Sequence, residues 1–344
     1  MNFTGRSRLR LGACLSLSGR YARFGSQCAL GLQTWQELDG GAELRIEDDA
    51  SDPAQVGPAL QRLASTTDLL LGPYSTQLMR AAARFVQAAD VLLWNHGGSG
   101  DDVQDSAPRR IVSVLSPASR YAVPFLCGLG DGKSGVPLWI AGGRTAFGRQ
   151  VAAGAESRAM TLGLAATRLG PDQPLPSWPL HVEWDLFCGG QFEEDVARIR
   201  EARALERPPR LLCAVAAGVH DLATVVDDPK GLYGVAQWAP GGDATADVGP
   251  AAQLFLARYR RLARRSLDYP AVQAAATAAL AVHCARVSGS AASTDLWRLA
   301  AGLDTSTLFG RFKIDPLTGA QVAHQMLPVR WTALGPELVE QVRP

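Results

Sequence analysis

Short apolar runs alternate with longer amphipathic stretches along most of this chain, and the runs end in turns of small or polar residues. Four such junctions occur early: LSLSGRYARFG, LRIEDDASDP, LLLGPYSTQ and VLLWNHGGSGDD, at residues 15–25, 44–53, 69–77 and 91–102. Strands that alternate with helices predict a parallel sheet. Because parallel strands end at one edge, we expect the four turns to meet there and to build a ligand site.

A second series of strand and helix patterns begins after residue 116. It contains the strand VPLWIAG before GGRTAFG, and further strands are predicted near residues 181–184, 211–215 and 234–237. Two long helical patterns and an alternating segment, FGRFKIDPLTGAQVAHQMLPVRW, follow; the last predicts a hairpin around DPLTG. The fold class is therefore α/β, with two doubly wound, Rossmann-like lobes and parallel central sheets.

Composition limits the classes of function. The 344 residues suggest two domains, and a formal net charge of +1 with scattered basic residues argues against nucleic acid as a partner. No apolar run approaches the roughly 18 residues that span a bilayer, so we expect no direct membrane insertion. No signal peptide is visible before the first strand. The expected location is periplasmic or extracellular if a signal peptide has been removed, and cytoplasmic otherwise.

In their order and spacing, the four junctions resemble the amino-terminal lobe of type I periplasmic binding proteins. The similarity is greatest to the leucine/isoleucine/valine-binding receptors of branched-chain amino acid ABC transporters, and it extends over most of the chain. It implies two lobes joined by a hinge of several crossovers. We expect an N-terminal lobe of residues 1–118 plus 244–318 and a C-terminal lobe of residues 119–243 plus 319–344.

The resemblance also implies a binding site shared by the two lobes. In the first lobe the GPYS and NHGGSG loops would bind the ligand, with bare backbone amides and the Ser99 hydroxyl receiving a carboxylate or amide oxygen. For each aromatic residue, core packing is the alternative role. The candidate ligand-binding residues are Phe24, Tyr74, Ser75, His96, Gly97, Gly98 and Ser99 in the first lobe, and Phe147, Ala217, Gln237 and Trp238 in the second.

Three of these positions depart from the family pattern. Amino-acid-binding members commonly have a tyrosine where Phe147 stands, a polar or aromatic residue near Ala217, and an acidic residue near Gln237 that holds the ammonium group. An unpaired ammonium group is costly to bury. We therefore expect an amide, an aromatic acid or another neutral or anionic small molecule in preference to a free α-amino acid.

Catalytic patterns are weak in this sequence. GLGDGKS (residues 128–134) falls short of a phosphate-binding loop, and the histidines and cysteines show no metal-ligand spacing. Asp48 and Asp49 are adjacent, and Asp49 is expected to order its loop as an Asx-type turn. Ser51 and Ser75 stand where the family often has a disulfide, which favours a reducing compartment. We expect no metal, no cofactor and no enzymatic activity.

Two functions follow from the resemblance. The first is solute capture for an ABC importer, with a small organic ligand and permease subunits as partners. The second is a cytosolic ligand sensor of the same fold, of the amide-sensing type, that switches a regulatory protein partner. An enzyme on a doubly wound scaffold is the third alternative, and it would need a nucleophile with a base, a metal cluster or a dinucleotide fingerprint.

Overall fold

A computed structural model describes residues 8–39, 41–130, 135–176, 182–240, 246–263, 266–340 and 342. The strands are β1 (Leu9–Leu15), β2 (Ala42–Asp48), β3 (Leu69–Leu71), β4 (Leu93–Asn95), β5 (Ile111–Ser113), β6 (Leu138–Gly142), β7 (Ala166–Leu169), β8 (Asp185–Gly189), β9 (Leu211–Ala214), β10 (Tyr233–Ala236), β11 (Thr305–Thr307), β12 (Gly310–Phe312), β13 (Leu327–Thr332) and β14 (Gly335–Leu338). The α-helices are α1 (Ala22–Asp39), α2 (Pro53–Ala64), α3 (Thr76–Ala89), α4 (Val123–Gly128), α5 (Ala146–Thr161), α6 (Phe192–Ala204), α7 (Ala252–Leu262), α8 (Tyr269–Ser288) and α9 (Ser293–Gly302).

The chain forms two compact α/β units, each made of two chain segments. The first unit contains Met1–Ser116 and Asp243–Gln325, and the second contains Pro117–Gly242 and Met326–Pro344. The two lobes predicted from the alternation of strands and helices are therefore present.

The first unit is built on a five-stranded parallel sheet with the strand order β2-β1-β3-β4-β5. Leu70 and Leu93 of this sheet pack with apolar residues of α2 and α3 in one buried cluster. Helix α1 packs against α8 so closely that a Cβ atom on Gly31 would lie 2.1 Å from the carbonyl oxygen of Ala271. The order of the sheet reverses between β1 and β3, and ligands bind at the carboxyl ends of strands at such switch points.

The second unit contains a seven-stranded sheet with the order β14-β13-β10-β9-β8-β6-β7. Strands β6 to β10 are parallel to one another. Strand β13 pairs antiparallel with β10, and β14 pairs antiparallel with β13. Phe125, Val151 and Phe187 belong to one buried cluster, and Trp184 and Ile199 belong to another. Within each unit, the carboxyl ends of the parallel strands thus lie at one edge of that unit's own sheet, as the sequence pattern predicted.

Residues 319–325 lie in the first unit, whereas the expected boundary assigned them to the C-terminal lobe. The backbone N–H of Ser113, at the end of the edge strand β5, donates to the carbonyl of Gly319 (2.9 Å). The side chain of Gln321 donates to the carbonyl of Val114 (3.0 Å), and the Ser116 hydroxyl lies 2.7 Å from Nδ1 of His324. These hydrogen bonds to residues at and after the end of β5 hold residues 319–325 in the first unit.

Several predicted elements have different limits in the structure. The turn around DPLTG is present, with Ile314 bridged to Gln321, but the alternating segment is not one hairpin, because β13 pairs with β10 and β14 in the second unit. The sequence pattern predicts a helix over residues 28–38, and in the structure this helix, α1, begins earlier, at Ala22. Strand β8 begins at Asp185, directly after the predicted strand at residues 181–184. His181 and residues 131–134 of GLGDGKS lie outside the described residues. Strands β5, β7, β11 and β14 were not predicted.

Among the described helices, none is both long and apolar enough to cross a membrane. The 20-residue α8 is the longest apolar one, and 15 of its residues are buried within the protein.

The contact of α1 with α8 generates a stability prediction. We expect Gly31→Ala to lower the free energy of unfolding by about 1–3 kcal/mol, because the added methyl group would clash with the Ala271 carbonyl. Gly302→Ala, at the last residue of α9, is the matched control, since a Cβ atom there meets nothing within 4 Å. Urea unfolding of both variants measures the difference. Equal stability of the two variants would contradict the close packing.

Candidate functional site

The loops that follow β1 and β2 are fixed by two adjacent carboxylates. Asp48 accepts hydrogen bonds from the backbone of Leu17 (2.9 Å) and the hydroxyl of Ser18 (2.6 Å). Asp49 is buried and accepts from the hydroxyl of Ser16 (2.7 Å) and the backbone of Ser51 (2.8 Å). The bond to the Ser51 backbone is the Asx-type turn that the sequence predicted. Burial raises the pKa of Asp49, although the hydrogen bonds oppose this effect.

The loop after β3 brings together three of the predicted site residues of the first unit. The ring of Phe24, in the first turn of α1, stacks on Tyr74 with 4.7 Å between ring centroids. The Tyr74 hydroxyl lies 3.1 Å from the hydroxyl of Tyr269, a residue that the sequence analysis did not select. The backbone of Ser75 donates to the carbonyl of Gly97 (2.9 Å), which joins this loop to the loop after β4.

Ser75 has an unusual backbone conformation. It caps α3 by accepting a hydrogen bond from the backbone of Leu78 (3.3 Å), and its φ and ψ are 93° and 147°. Residues other than glycine rarely adopt this region, at a cost of order 1–3 kcal/mol, and such residues cluster at ligand-binding sites. The strain therefore marks Ser75 as a candidate site residue independently of the sequence motif.

The amides of Gly97 and Gly98 are not bare, contrary to the expectation from the sequence. Both donate to Oδ1 of the buried Asn95, at 3.1 and 2.8 Å. The side-chain amide of Asn95 in turn donates to the carbonyl of Gly98 and the hydroxyl of Ser113, each at 2.8 Å. Asn95 therefore organises the loop that leads to the buried Ser99. Asn95 was not among the predicted site residues, although its position at the end of a predicted strand could have indicated this role.

Both glycines are needed where the two loops approach each other. A Cβ atom on Gly97 would lie 2.5 Å from Cα of Tyr74, and one on Gly98 would lie 2.3 Å from Cγ of Met79. Gly97 thus permits close contact between the two loops, and Gly98 permits close contact with Met79 of α3.

His96 lies in the interior of the first unit. Its ring is completely buried, and Nδ1 is 3.8 Å from Sγ of Cys28 on α1. Burial lowers the pKa of His96 to about 4, so the imidazole is neutral near pH 7. The structure therefore places this side chain against Cys28 of α1.

Two predicted residues of the second unit, Phe147 and Gln237, both contact a third residue, Tyr121. The ring of Tyr121 contacts the ring of Phe147 edge-on, with 5.3 Å between centroids. The side-chain amide of Gln237 donates to the Tyr121 hydroxyl at 2.8 Å. Tyr121 lies 116 residues before Gln237, so no local pattern indicated this pairing. Among the described residues, these contacts do not include Trp238, which is half-buried beside Gln237.

Ala217 lies in a tightly packed turn after β9. It is completely buried, and its carbonyl accepts a hydrogen bond from Nε1 of Trp331 (2.8 Å). A Cβ atom on Gly234 would lie 2.3 Å from the carbonyl group of Ala217. The carbonyl group of Ala217 is therefore held by its neighbours in the sheet.

No group of three or more His, Cys, Asp or Glu side chains in the described part of the chain is arranged to hold a metal ion. The candidate residues of each unit are instead aromatic rings, hydroxyl groups and one amide: Phe24, Tyr74, Ser75 and Ser99 in the first unit, and Tyr121, Phe147 and Gln237 in the second. Such groups can bind an apolar or aromatic body and hydrogen-bond its polar substituents.

No protein-family model matches this chain, and no curated protein matches its sequence. Solved structures resemble it over nearly its whole length. The leucine-binding protein LivK of Thermotoga maritima has 13% identity and a TM-score of 0.80, with 98% of this chain and 99% of that chain covered. A substrate-binding protein of an ABC transporter from Desulfitobacterium hafniense, in complex with leucine, has 14% identity and a TM-score of 0.79, with 97% and 100% covered.

A third similar structure is a solute-binding protein of an ABC transporter from Rhodopseudomonas palustris, in complex with 3,4-dihydroxybenzoic acid. It has 15% identity and a TM-score of 0.75, with 96% of this chain and 94% of that chain covered. The chain therefore has the type I periplasmic-binding-protein fold that the sequence resemblance implied.

The conformation of Ser75 can be tested with two variants. Ser75→Ala and Ser75→Gly both remove the hydroxyl that caps α3, but only glycine adopts a φ of 93° without strain. We expect Ser75→Ala to be less stable than Ser75→Gly by about 1 kcal/mol or more in urea unfolding. An alanine variant as stable as the glycine variant would show that the backbone is not strained at this position.

Proposed function

We propose that this protein binds a small organic solute for an ABC importer, closes on it, and does not change it chemically. The observation that carries the proposal is the nature of the groups at the carboxyl ends of the two sheets. They are aromatic rings, hydroxyl groups and an amide on loops fixed by internal hydrogen bonds. The similar solute-binding proteins, two of them in complex with leucine or an aromatic acid, support the same role.

One Ser–His pair among the described residues deserves comparison with a catalytic pair. The Ser116 hydroxyl lies 2.7 Å from Nδ1 of His324, but both residues are buried. Nε2 of His324 lies 3.2 Å from the carbonyl of Phe309, whose ring stacks on the imidazole at 4.4 Å. A hydrolytic pair needs an accessible nucleophile and a base oriented by a third group, usually a carboxylate. This geometry favours a structural role for Ser116 and His324.

We propose that the ligand is an aromatic acid or an amide that carries no ammonium group. Gln237 stands where amino-acid-binding members of the resembled family commonly have an acidic residue, and its amide is paired with the Tyr121 hydroxyl. A neutral amide cannot compensate the burial of an ammonium group. The rings of Phe147 and Tyr121 suit an aromatic body. The importer's permease subunits would be the protein partners, and the protein would act outside the cytoplasmic membrane.

A ligand panel tests this proposal. We expect 4-hydroxybenzoate, 3,4-dihydroxybenzoate or benzamide to raise the melting temperature, because a ligand that binds only the native state stabilises it. Leucine should not raise it. Incubation with stoichiometric protein should return the ligand unchanged. Binding confined to free branched-chain amino acids would contradict the ligand class, and conversion of a ligand would contradict the binding role.

The role of Gln237 has its own test. We expect Gln237→Glu to shift the ratio of leucine to 4-hydroxybenzoate affinity towards leucine by at least about tenfold, or about 1.4 kcal/mol, because a carboxylate can pair with the ammonium group. Tyr121→Phe removes the same hydrogen bond without adding charge and should not favour leucine. Calorimetric titration of the three proteins measures the ratio. An unchanged ratio in Gln237→Glu would show that this position does not select the ligand.

A further inference from the structure

Two adjacent carboxylates at the beginning of α6 hold loops of the second unit together. The first is Glu194, whose Oε1 accepts from the backbone of Arg144 (2.9 Å), in the loop after β6. Its Oε2 accepts from the backbone of Gln191 (2.8 Å), the residue that precedes α6. Glu194 thus ties the loop that leads to Phe147 to the beginning of α6.

The second carboxylate, Asp195, joins the loops that follow two neighbouring strands. Its Oδ1 accepts from the backbone of Gly190 (2.6 Å), directly after β8, and its Oδ2 accepts from the backbone of Ala216 (2.9 Å), after β9. The side chain of Asp195 is buried. Because Ala217 follows Ala216 directly, Asp195 fixes the turn in which this predicted site residue lies.

We propose that Asp195 is a positioning residue whose ionised carboxylate orders the turn at Val215–Gly218, so that the order of this turn, and ligand affinity with it, increases with pH. The inference about affinity rests on the proposed function. The inference about the turn depends only on the contacts of Asp195.

The environment of Asp195 supports this pH dependence. Burial raises its pKa to about 7, while hydrogen bonds from the backbones of Ala216, Gly190 and Val215 oppose the increase. The carboxylate of Glu194 on the same helix raises it further. The other titratable groups around it are the buried thiols of Cys188 on β8 and Cys213 on β9, whose own pKa values are raised by burial, and Arg198 of α6, which interacts with Cys188.

Protonation affects the turn and the whole fold in opposite directions. A protonated carboxyl group has one oxygen that carries a hydrogen, so it loses one of the backbone donors that both oxygens accept when ionised. The turn therefore loosens as the pH falls through about 7. Because the pKa in the folded state lies above the ordinary value of 3.8, Asp195 contributes stability that is fully present below about pH 4 and is lost as the pH rises to about 7.

Amide hydrogen exchange tests the inference without a ligand. We expect the protection factors of Gly190 and Ala216, corrected for intrinsic exchange, to rise about tenfold or more between pH 5.5 and 8, which corresponds to one hydrogen bond. Asp195→Asn should keep protection low at both pH values and remove the dependence.

Asp185→Asn is the matched control, because Asp185 is also a buried acid of this unit but pairs with Arg210 (2.7 Å) at the beginning of β8. This variant should lower overall stability and leave the pH dependence at Gly190 and Ala216 intact. Protection that is independent of pH in the unmodified protein, or that keeps its pH dependence in Asp195→Asn, would overturn the inference about the turn.

Titration with 4-hydroxybenzoate at the same two pH values tests the effect on affinity. We expect tighter binding at pH 8 than at pH 5.5 in the unmodified protein and no difference in Asp195→Asn. If the amides respond as expected but affinity in the unmodified protein does not change with pH, the link to affinity is wrong and the role in the turn stands. If no member of the ligand panel binds at either pH, the proposed function fails, and the hydrogen-exchange result still decides the role of Asp195 in the turn.

Discussion

Backbone N–H groups beyond the ends of parallel strands need acceptors, and this requirement shapes the candidate site in both units. A buried donor without a partner costs about 1–3 kcal/mol. In the first unit the acceptors are Asp48, Asp49 and Asn95, and in the second they are Glu194 and Asp195. Each side chain bridges its own loop to a neighbouring segment, so the loops hold their shape by internal bonds.

This constraint changes how the site can recognise a ligand. The amides of Gly97 and Gly98, which the sequence offered as ligand donors, are already bonded to Asn95. Under the proposed function, recognition would depend more on side chains: the stacked rings of Phe24 and Tyr74 and the hydroxyl of Ser75 in one unit, and the Phe147, Tyr121 and Gln237 group in the other. Aromatic rings with polar groups beside them suit a ligand with a flat apolar body and polar substituents.

Local patterns in the sequence were sufficient for the fold class and for the positions of several loops at the carboxyl ends of strands. The strand-to-turn junctions correctly located the loops of Ser75 and Ser99, and the Asx-type turn at Asp49 follows from residue type alone. The pairing of Gln237 with Tyr121 and the docking of residues 319–325 beside β5 depend on contacts between distant parts of the chain. Periodicity carries no information about such contacts. His96 was selected by its motif, and in the structure its ring is buried against Cys28 of α1.

Similarity to solved structures at 13–15% identity shows that this fold tolerates nearly complete replacement of its sequence, whereas the ligand depends on a few side chains. Amide-resolved NMR titration with 4-hydroxybenzoate tests most directly whether the carboxyl ends of the two sheets bind a small molecule. The account predicts shifts at Ser75, Ser99, Phe147 and Gln237 and a constant ligand signal over time. Shifts centred at the opposite ends of the strands, near Leu9 and Asp185, or steady conversion of the ligand would contradict it.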